Sequence, residues 1–439
     1  MSIVGSDVSI DPARAAIVRG PQLFTAKAPR VVRIGLLGYG RVGQAVAALV
    51  DAERDRFITA GLDLRVVGAL VREPAKPRGG PALALHTNAP GLFATRFDLL
   101  IDVMGGEHPA FEYVQQALEL GTHVVSANKT LMARRGLELH ATALRTGAAL
   151  CFDAAVLAGV PFLGALARRP LVSAPRRIFG IVNGTSHFVA GALESGQTLA
   201  SALEKAIERG YAEPDSSADI GGRDAAEKLT ILLHLAGFPG LTVGDLTTRG
   251  LDLLDSVDIE AARAFRAAVK PIAIASFDEA NPGAWVGPAL IDRAHPFASL
   301  TGVTNAIEFA ADDVDPITFA GPGAGPRETA GTILDDIVEA VSLKGRAAAR
   351  PWSARALPAD KLRTPPAGPW YIRAKGSSVD ASAFARALEK QGLSTTKVRA
   401  TRWTVAALVP HASWSVITQL SENLRGTDAD VLALPFINS

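Results

Sequence analysis

The stretch Val31-Val32-Arg33-Ile34-Gly35-Leu36-Leu37-Gly38-Tyr39-Gly40-Arg41-Val42-Gly43 decides the fold of this chain. Val31 to Leu37 is a short, mostly apolar run, as a strand buried on both faces of a parallel sheet requires. Gln44 to Val50 then reads as an amphipathic helix. A Gly-x-Gly-x-x-Gly pattern is weak alone, but between a strand and a helix it has a physical meaning. Gly38 allows the tight turn, Gly40 lets the backbone approach a pyrophosphate, and Gly43 permits close helix packing. Amides at the start of such a helix favour an anion. The alternative is a glycine-rich turn in some other α/β protein.

Strand and helix patterns alternate outward from this point. Leu64 to Val71, Asp98 to Met104 and His123 to Ser126 read as strands, and Tyr113 to Leu120 and Ala133 to Thr146 as helices. The alternation predicts an α/β fold with a Rossmann-type doubly wound parallel sheet over residues 31–150. Cofactor choice is read at the end of the second strand, where an acid would bind the ribose hydroxyls of NAD. The sequence there is Ala69-Leu70-Val71-Arg72-Glu73, with Lys76 and Arg78 beyond. Arg72 suits a 2′-phosphate, so NADP(H) is favoured, while Glu73 leaves NAD(H) open.

Residues 151–320 mix strands (Arg177 to Val182, Trp285 to Ile291, Ile317 to Ala320) with helices (Leu199 to Arg209, Ala225 to Ala236, Ala261 to Val269), predicting an α+β substrate and dimerisation domain. A glycine loop, Gly321 to Gly325, and a helix from Glu328 to Val341 return to complete the nucleotide domain through residues 321–345. A proline-rich linker covers 346–369. The module 370–439 reads strand-helix-strand-strand-helix-strand, the βαββαβ order of small ferredoxin-like units. Residues 1–30 lack periodicity and read as an arm.

Composition sets outer bounds. The chain has 439 residues, enough for two or three domains, and 48% of them are apolar. Forty-five basic residues against 44 acidic ones give a net charge of +1, which argues against bulk electrostatic binding to nucleic acid or anionic membrane. A single cysteine, Cys151, allows no internal disulfide and fits a reducing cytoplasm. The first residues show no basic segment followed by an apolar core. Apolar runs such as Ala154 to Ala167 are interrupted by Gly159, Pro161 and Gly164, so a cytoplasmic protein with no membrane span is expected.

The chemistry concentrates between Gly210 and Lys228, where acids and a lysine lie in a broken loop that runs into an apolar helix. Asp224 and Lys228 are four apart and share a helix face. Glu213, Asp219 and Asp224 can surround a small ligand with an amine and a hydroxyl, and Lys228 can sit over an oxygen that gains or loses a proton. Lys129 falls at the carboxyl end of a strand, where ligands gather in such sheets. A solvated i,i+4 ion pair is the plain alternative for Asp224 and Lys228. Aldehyde chemistry through a thiohemiacetal would need Cys151, which sits in the apolar run Ala148 to Phe152 and reads as inert. A dinucleotide-sensing regulator is the non-enzyme alternative, and the dense acid–lysine constellation counts against it.

Over residues 31–345 the sequence resembles the homoserine dehydrogenase family, carried by Gly38 to Gly43, Ser126-Ala127-Asn128-Lys129, Gly180-Ile181-Val182-Asn183-Gly184-Thr185, Gly210 to Lys228, and Gly323-Ala324-Gly325. The resemblance implies NAD(P)-dependent reversible reduction of L-aspartate 4-semialdehyde to L-homoserine, in threonine, methionine and isoleucine biosynthesis. By it, Lys228 is the proton donor and acceptor, Asp224 holds substrate and orients Lys228, and Glu213 binds the substrate amine with Asp219 nearby. Lys129 neighbours nicotinamide and substrate. Gly38, Gly40, Arg41, Val42, Gly43, Met104, Gly105, Gly210 and Gly325 contact the dinucleotide. A monovalent cation such as sodium would take oxygens of Asp153, Val156, Ala158 and Val160, although Asp153 is shorter than the family's usual glutamate. A strand-to-helix turn is the other reading of that loop. The C-terminal module resembles ACT-type regulatory domains, but Lys375-Gly376-Ser377-Ser378-Val379-Asp380 lacks their Pro-Gly turn, so inhibition by threonine is expected to be weak or absent. The module then serves assembly, as a homodimer or homotetramer. It is also expected to be separable at Thr364.

Overall fold

The computed structural model describes residues 28–167, 174–312, 314–323, 325–342, 357–376, 379–425 and 429–438. Most of the expected arm, part of the linker (346–356), Ala324 and Ser377-Ser378 lie outside these residues.

The first sheet contains β1 (Arg30–Leu37), β2 (Leu62–Leu70), β3 (Leu85–His86), β4 (Leu99–Asp102), β5 (His123–Ser126) and β6 (Leu150–Cys151). Its order is β3-β2-β1-β4-β5-β6, and every neighbouring pair is parallel. The strand order therefore reverses between β1 and β4, which opens a crevice beyond their carboxyl ends. Val32, Ile34 and Leu36 of β1 are fully buried on one face, where they share a core with Val46 and Val50 of the helix Arg41–Ala52. Ile333 and Ile337 of the helix Pro326–Ser342 enter the same core, so the chain does return to this layer after its excursion.

The second sheet is mixed. Its strands are β7 (Pro175–Ile181), β8 (Ala267–Ser276), β9 (Gly283–Asp292), β10 (Thr304–Ala311), β11 (Val314–Pro322), β12 (Gly368–Lys375), β13 (Lys397–Ala400), β14 (Thr404–Ala412) and β15 (Asp430–Ile437). The order is β11-β10-β7-β8-β9-β15-β12-β14-β13. The predicted helix Ala261 to Val269 is a correction. The helix ends at Ala264, Arg266 takes a φ of 62°, and the chain enters β8. Alanine-rich β8 is buried along most of its length, and such a run does not distinguish strand from helix by periodicity.

The C-terminal module has the expected element order, with helices Ala381–Lys390 and Trp414–Arg425. It is not a separate bead. β15 pairs in parallel with β9 at Phe436–Leu290 and Ile437–Ile291, so the module extends the second sheet. Tyr371, Leu408, Leu434 and Phe436 of the module share one core with Phe179, Trp285 and Leu290. Trp285 is fully buried and lies edge-on to Trp370 and Trp414, with ring centroids 6.2 and 6.0 Å away. Below them the Tyr371 hydroxyl donates to buried Asp258 at 2.6 Å, and Arg373 reaches Asp258 at 3.3 Å and Asp430 at 2.7 Å. The segment before β12 is strapped down as well, because Ala284 N–H donates to Thr364 O and Asn281 exchanges two bonds with Ala367.

These contacts count against a separable tail. A chain ending at Thr364 would expose the Trp285 face and strand Asp258 without Tyr371 and Arg373, and a buried charge that loses its partners is strongly destabilised. The expected outcome is an aggregated or non-cooperatively melting product by calorimetry. A soluble fragment with the full-length melting temperature would refute the shared core.

Candidate active site

The glycine turn sits at the crevice. Gly38 has φ 101°, and a Cβ there would lie 3.2 Å from Val103 O on the strand-end loop after β4. Gly43 faces the Gly38 carbonyl so closely that a Cβ would stand 2.5 Å from its oxygen. Gly40 opens to free space, and no side chain caps the start of the helix Arg41–Ala52. Free helix-start amides beside an open backbone surface fit a pyrophosphate. Tyr39 and Gln44 tie this turn to the loop after β2: the Tyr39 hydroxyl donates to Pro81 O, and Gln44 Oε1 accepts Gly79 N–H at 2.8 Å. Arg78 donates to Tyr39 O, Pro74 O, Lys76 O and Glu73 O, so it is engaged in folding that loop. Arg72 stands exposed beside it.

Beyond β4 lies a buried network that the sequence reading missed. Asp102 is fully buried and accepts from Met104 N–H and Ser126 Oγ, each at 3.0 Å. Asn128 receives Leu131 N–H on its oxygen and donates to Gly106 O at 2.7 Å. Asn128 is thus the cap of the helix Lys129–Thr146 and fixes Lys129 as its first residue. Burial raises the Asp102 carboxyl to about 6, against hydrogen bonds from Met104, Ser126 and Asn128 that favour the carboxylate.

Asp224 is the centre of the site. Lys129 Nζ lies 2.6 Å from its Oδ1 and Lys228 Nζ 2.8 Å from its Oδ2. Asn183 Nδ2 donates to the same Oδ2 at 2.8 Å and to Asp219 Oδ1 at 2.7 Å. Lys228 also donates to Val182 O at 2.7 Å. Asp224 is buried, which alone would raise its pKa, but Lys228 and Lys129 outweigh burial and hold it well below the usual carboxylate range. Asp224 in turn raises Lys129. Burial raises Asp219, partly offset by Asn183. Asn183 caps the helix Gly184–Glu194, and the helix Arg223–Leu235 presents Asp224 and Lys228 from its first turns.

Lys129 and Lys228 line a cleft of about 240 Å³ together with Val42, Met104, Ala158 and Thr329. Residues expected at the nucleotide, at the proton and on the cation loop therefore meet in one space. Others do not join it. Glu213 and Gly210 are exposed on the loop before the cluster, and Gly105 is exposed at the rim. Gly325, with φ 140°, starts the helix Pro326–Ser342, and a Cβ there would collide with Glu328.

The expected cation loop is itself hydrogen-bonded. Asp153 Oδ2 accepts Gly164 N–H at 2.8 Å, and Val160 O accepts Phe162 N–H at 2.8 Å, so two expected donors cap the next helix turn. Val156 and Ala158 face the cleft instead. Among the described residues no group of acids, histidines or cysteines is disposed to hold a metal. Cys151 is buried in β6 and burial raises its thiol well above its usual range, which suits the inert reading.

Comparison with known proteins follows the same division. Residues 38–153 match the family described as "Homoserine dehydrogenase, NAD binding domain", and residues 161–338 match "Homoserine dehydrogenase". A homoserine dehydrogenase of Corynebacterium glutamicum is 36% identical over 334 residues, covering 74% of this chain and 75% of that protein. An NAD(+)-dependent homoserine dehydrogenase of Pseudomonas canavaninivorans is 34% identical over 70% of this chain and 95% of its own length. The crystal structure of a homoserine dehydrogenase from Thiobacillus denitrificans superposes with a TM-score of 0.85 at 28% identity, over 94% of this chain and 99% of that one. A hyperthermophilic archaeal homoserine dehydrogenase in complex with NADPH superposes at 0.60 with 26% identity, over 71% and 98%.

The Asp102 network gives a pH signature. Its folded pKa is raised above the unfolded value of about 3.9, so the native state holds the extra proton and stability falls as pH rises between the two values. Asp102→Asn keeps the shape and removes that titration. Wild-type thermal melts should decline from pH 4 to 7, and Asp102→Asn should lose that decline; the same profile in both proteins would exclude Asp102 as its source.

Proposed function

As the chain belongs to the homoserine dehydrogenase family, we propose that it catalyses NADP-dependent reversible reduction of L-aspartate 4-semialdehyde to L-homoserine. The observation that carries this reading is the pair of lysines on one buried carboxylate, 2.6 and 2.8 Å away, in a cleft shared with Val42 and Met104. NAD(P)H supplies the hydride when bound. Lys228 holds the proton that the carbonyl oxygen takes up as it becomes an alkoxide. Two of its three N–H bonds are fixed by Val182 O and Asp224, and the third is left for the substrate oxygen. Lys129 faces the same oxygen as a positive charge. Glu213 binds the substrate amine from the exposed loop, with Asp219 nearby.

Arg72 favours a cofactor 2′-phosphate, because it stands free at the end of β2 while Arg78 is bound up in the loop. The NAD-dependent relative and the NADPH complex show that both nicotinamide cofactors occur in the family. No helix among the described residues is long and apolar enough to cross a membrane, in keeping with the proposed cytoplasmic amino-acid biosynthesis. The module keeps its proposed assembly role, with β13 an exposed sheet edge for a second copy. No step is routed through a cation.

Lys228→Ala should lower turnover with L-homoserine and NADP by about 10²–10⁴-fold while leaving cofactor binding nearly intact. Near wild-type kcat in a spectrophotometric assay would remove Lys228 from the reaction.

Arg72→Asp places a carboxylate where the 2′-phosphate would lie. KM for NADP should rise while that for NAD stays level or falls. Equal losses for both cofactors would show that Arg72 does not read the phosphate.

A further inference from the structure

A second, largely open pocket of about 540 Å³, with Arg223 and Arg249 exposed at it, lies away from the catalytic cleft, between the C-terminal helix Trp414–Arg425 and the amino end of the helix Arg223–Leu235. We propose that it binds a small organic anion carrying a carboxylate or phosphate group. Its volume falls within the range of small-molecule sites. Arg223 and Arg249 contribute guanidinium groups, Thr247, Thr248 and Thr418 contribute hydroxyls, and no acidic residue lines it. Val243, Leu246 and Ala226 give an apolar wall for a short carbon chain.

The guanidinium groups have donors to spare. Arg223 reaches Glu227 only through Nε, at 3.4 Å, and Arg249 gives one bond, from Nη1 to Thr248 O at 3.2 Å. Both side chains make no other hydrogen bond or ion pair among the described residues. A guanidinium fork pairs with the paired oxygens of a carboxylate or phosphate. The nearby acid Asp245 is already bound to Thr242 and Arg363.

The walls are held before any ligand arrives. Trp414 packs against both Trp285 and Trp370, at centroid distances of 6.0 and 5.3 Å, and the Arg249 guanidinium lies 6.0 Å from its ring. The facing loop is fixed by Arg249 N–H to Val286 O at 2.8 Å, Val286 N–H to Thr247 O at 3.1 Å, and Thr247 Oγ1 to Arg363 O at 2.9 Å. A preformed site loses less on binding than one that must be ordered. The cavity also touches the catalytic helix, since Arg223 precedes Asp224 and its partner Glu227 accepts from Thr130, the neighbour of Lys129.

The test is calorimetric titration of the full chain with succinate and, separately, inorganic phosphate. NADP is present in excess so that the glycine turn is not free to take the anion. Saturable binding of at least one probe is expected. Binding of succinate alone assigns a carboxylate ligand, and binding of phosphate alone a phosphorylated one. In Arg249→Met, which keeps the stem and should melt as the wild type does, the Kd should weaken about tenfold or more. No heat of binding from either probe at about 10 mM, or equal affinity in wild type and Arg249→Met, would overturn the proposal.

Discussion

The site depends on one carboxylate. Asp224 is buried, and it stays charged there because two ammonium groups and an amide converge on it. An isolated ion in that position would carry a large desolvation cost. Its partners come from separate parts of the chain. Lys129 starts a helix of the first sheet, Lys228 lies one turn along the helix of Asp224, and Asn183 caps the helix after β7. The cluster is complete only when the nucleotide layer and the mixed-sheet layer are packed together, so the interaction to which the chemistry is assigned in the proposed function also ties the two layers to each other.

The second constraint is the continuity of the mixed sheet. A module attached through a linker could in principle move as a unit. Here β15 pairs with β9, aromatic side chains from both sides pack edge-on, and Tyr371 and Arg373 satisfy Asp258 below the surface. Burial raises the Asp258 carboxyl, with Arg373 and Tyr371 acting against it. The strap from Leu357 to Ala367 is likewise anchored, with Leu362 fully buried in the core beneath the helix of Lys228. The module, the strap and the helix of Lys228 are therefore joined by continuous packing of side chains.

Much of this was legible in the sequence because it is local. The glycine spacing, the strand before it and the four-residue spacing of Asp224 and Lys228 each encode geometry within a few residues, and Gly43 shows how tightly: no other residue fits against Gly38 O. The nonlocal features were not legible. Asn183 stood in a quoted motif, yet its bonds to Asp219 and Asp224 depend on how a distant helix docks. Asp102 reads as one acid in an apolar strand, and only its burial beside Ser126 reveals its role as an acceptor. The proline-rich run before residue 370 read as a linker at which the module could be separated, because composition reports a break in regular structure and does not report what the segment packs against. The helix expected to Val269 ran three residues into β8 because a buried alanine-rich run does not tell strand from helix by periodicity.

In the proposed reaction the electrostatics divide the work between the two lysines. Asp224 is held ionised, so it serves as a fixed charge and takes no proton. Asp224 also holds Lys129 in its charged form, which makes Lys129 a poor proton donor and a persistent positive charge. Lys228 shares the carboxylate but spends another N–H on Val182 O, a neutral acceptor, and is aimed into the cleft. Charge developing on a substrate oxygen there would meet two oriented ammonium groups without reorganising them, which is the condition under which electrostatic stabilisation is most effective. The shared carboxylate thus holds both ammonium groups at the cleft, where the proposed reaction takes the proton from Lys228 and uses Lys129 as a fixed charge.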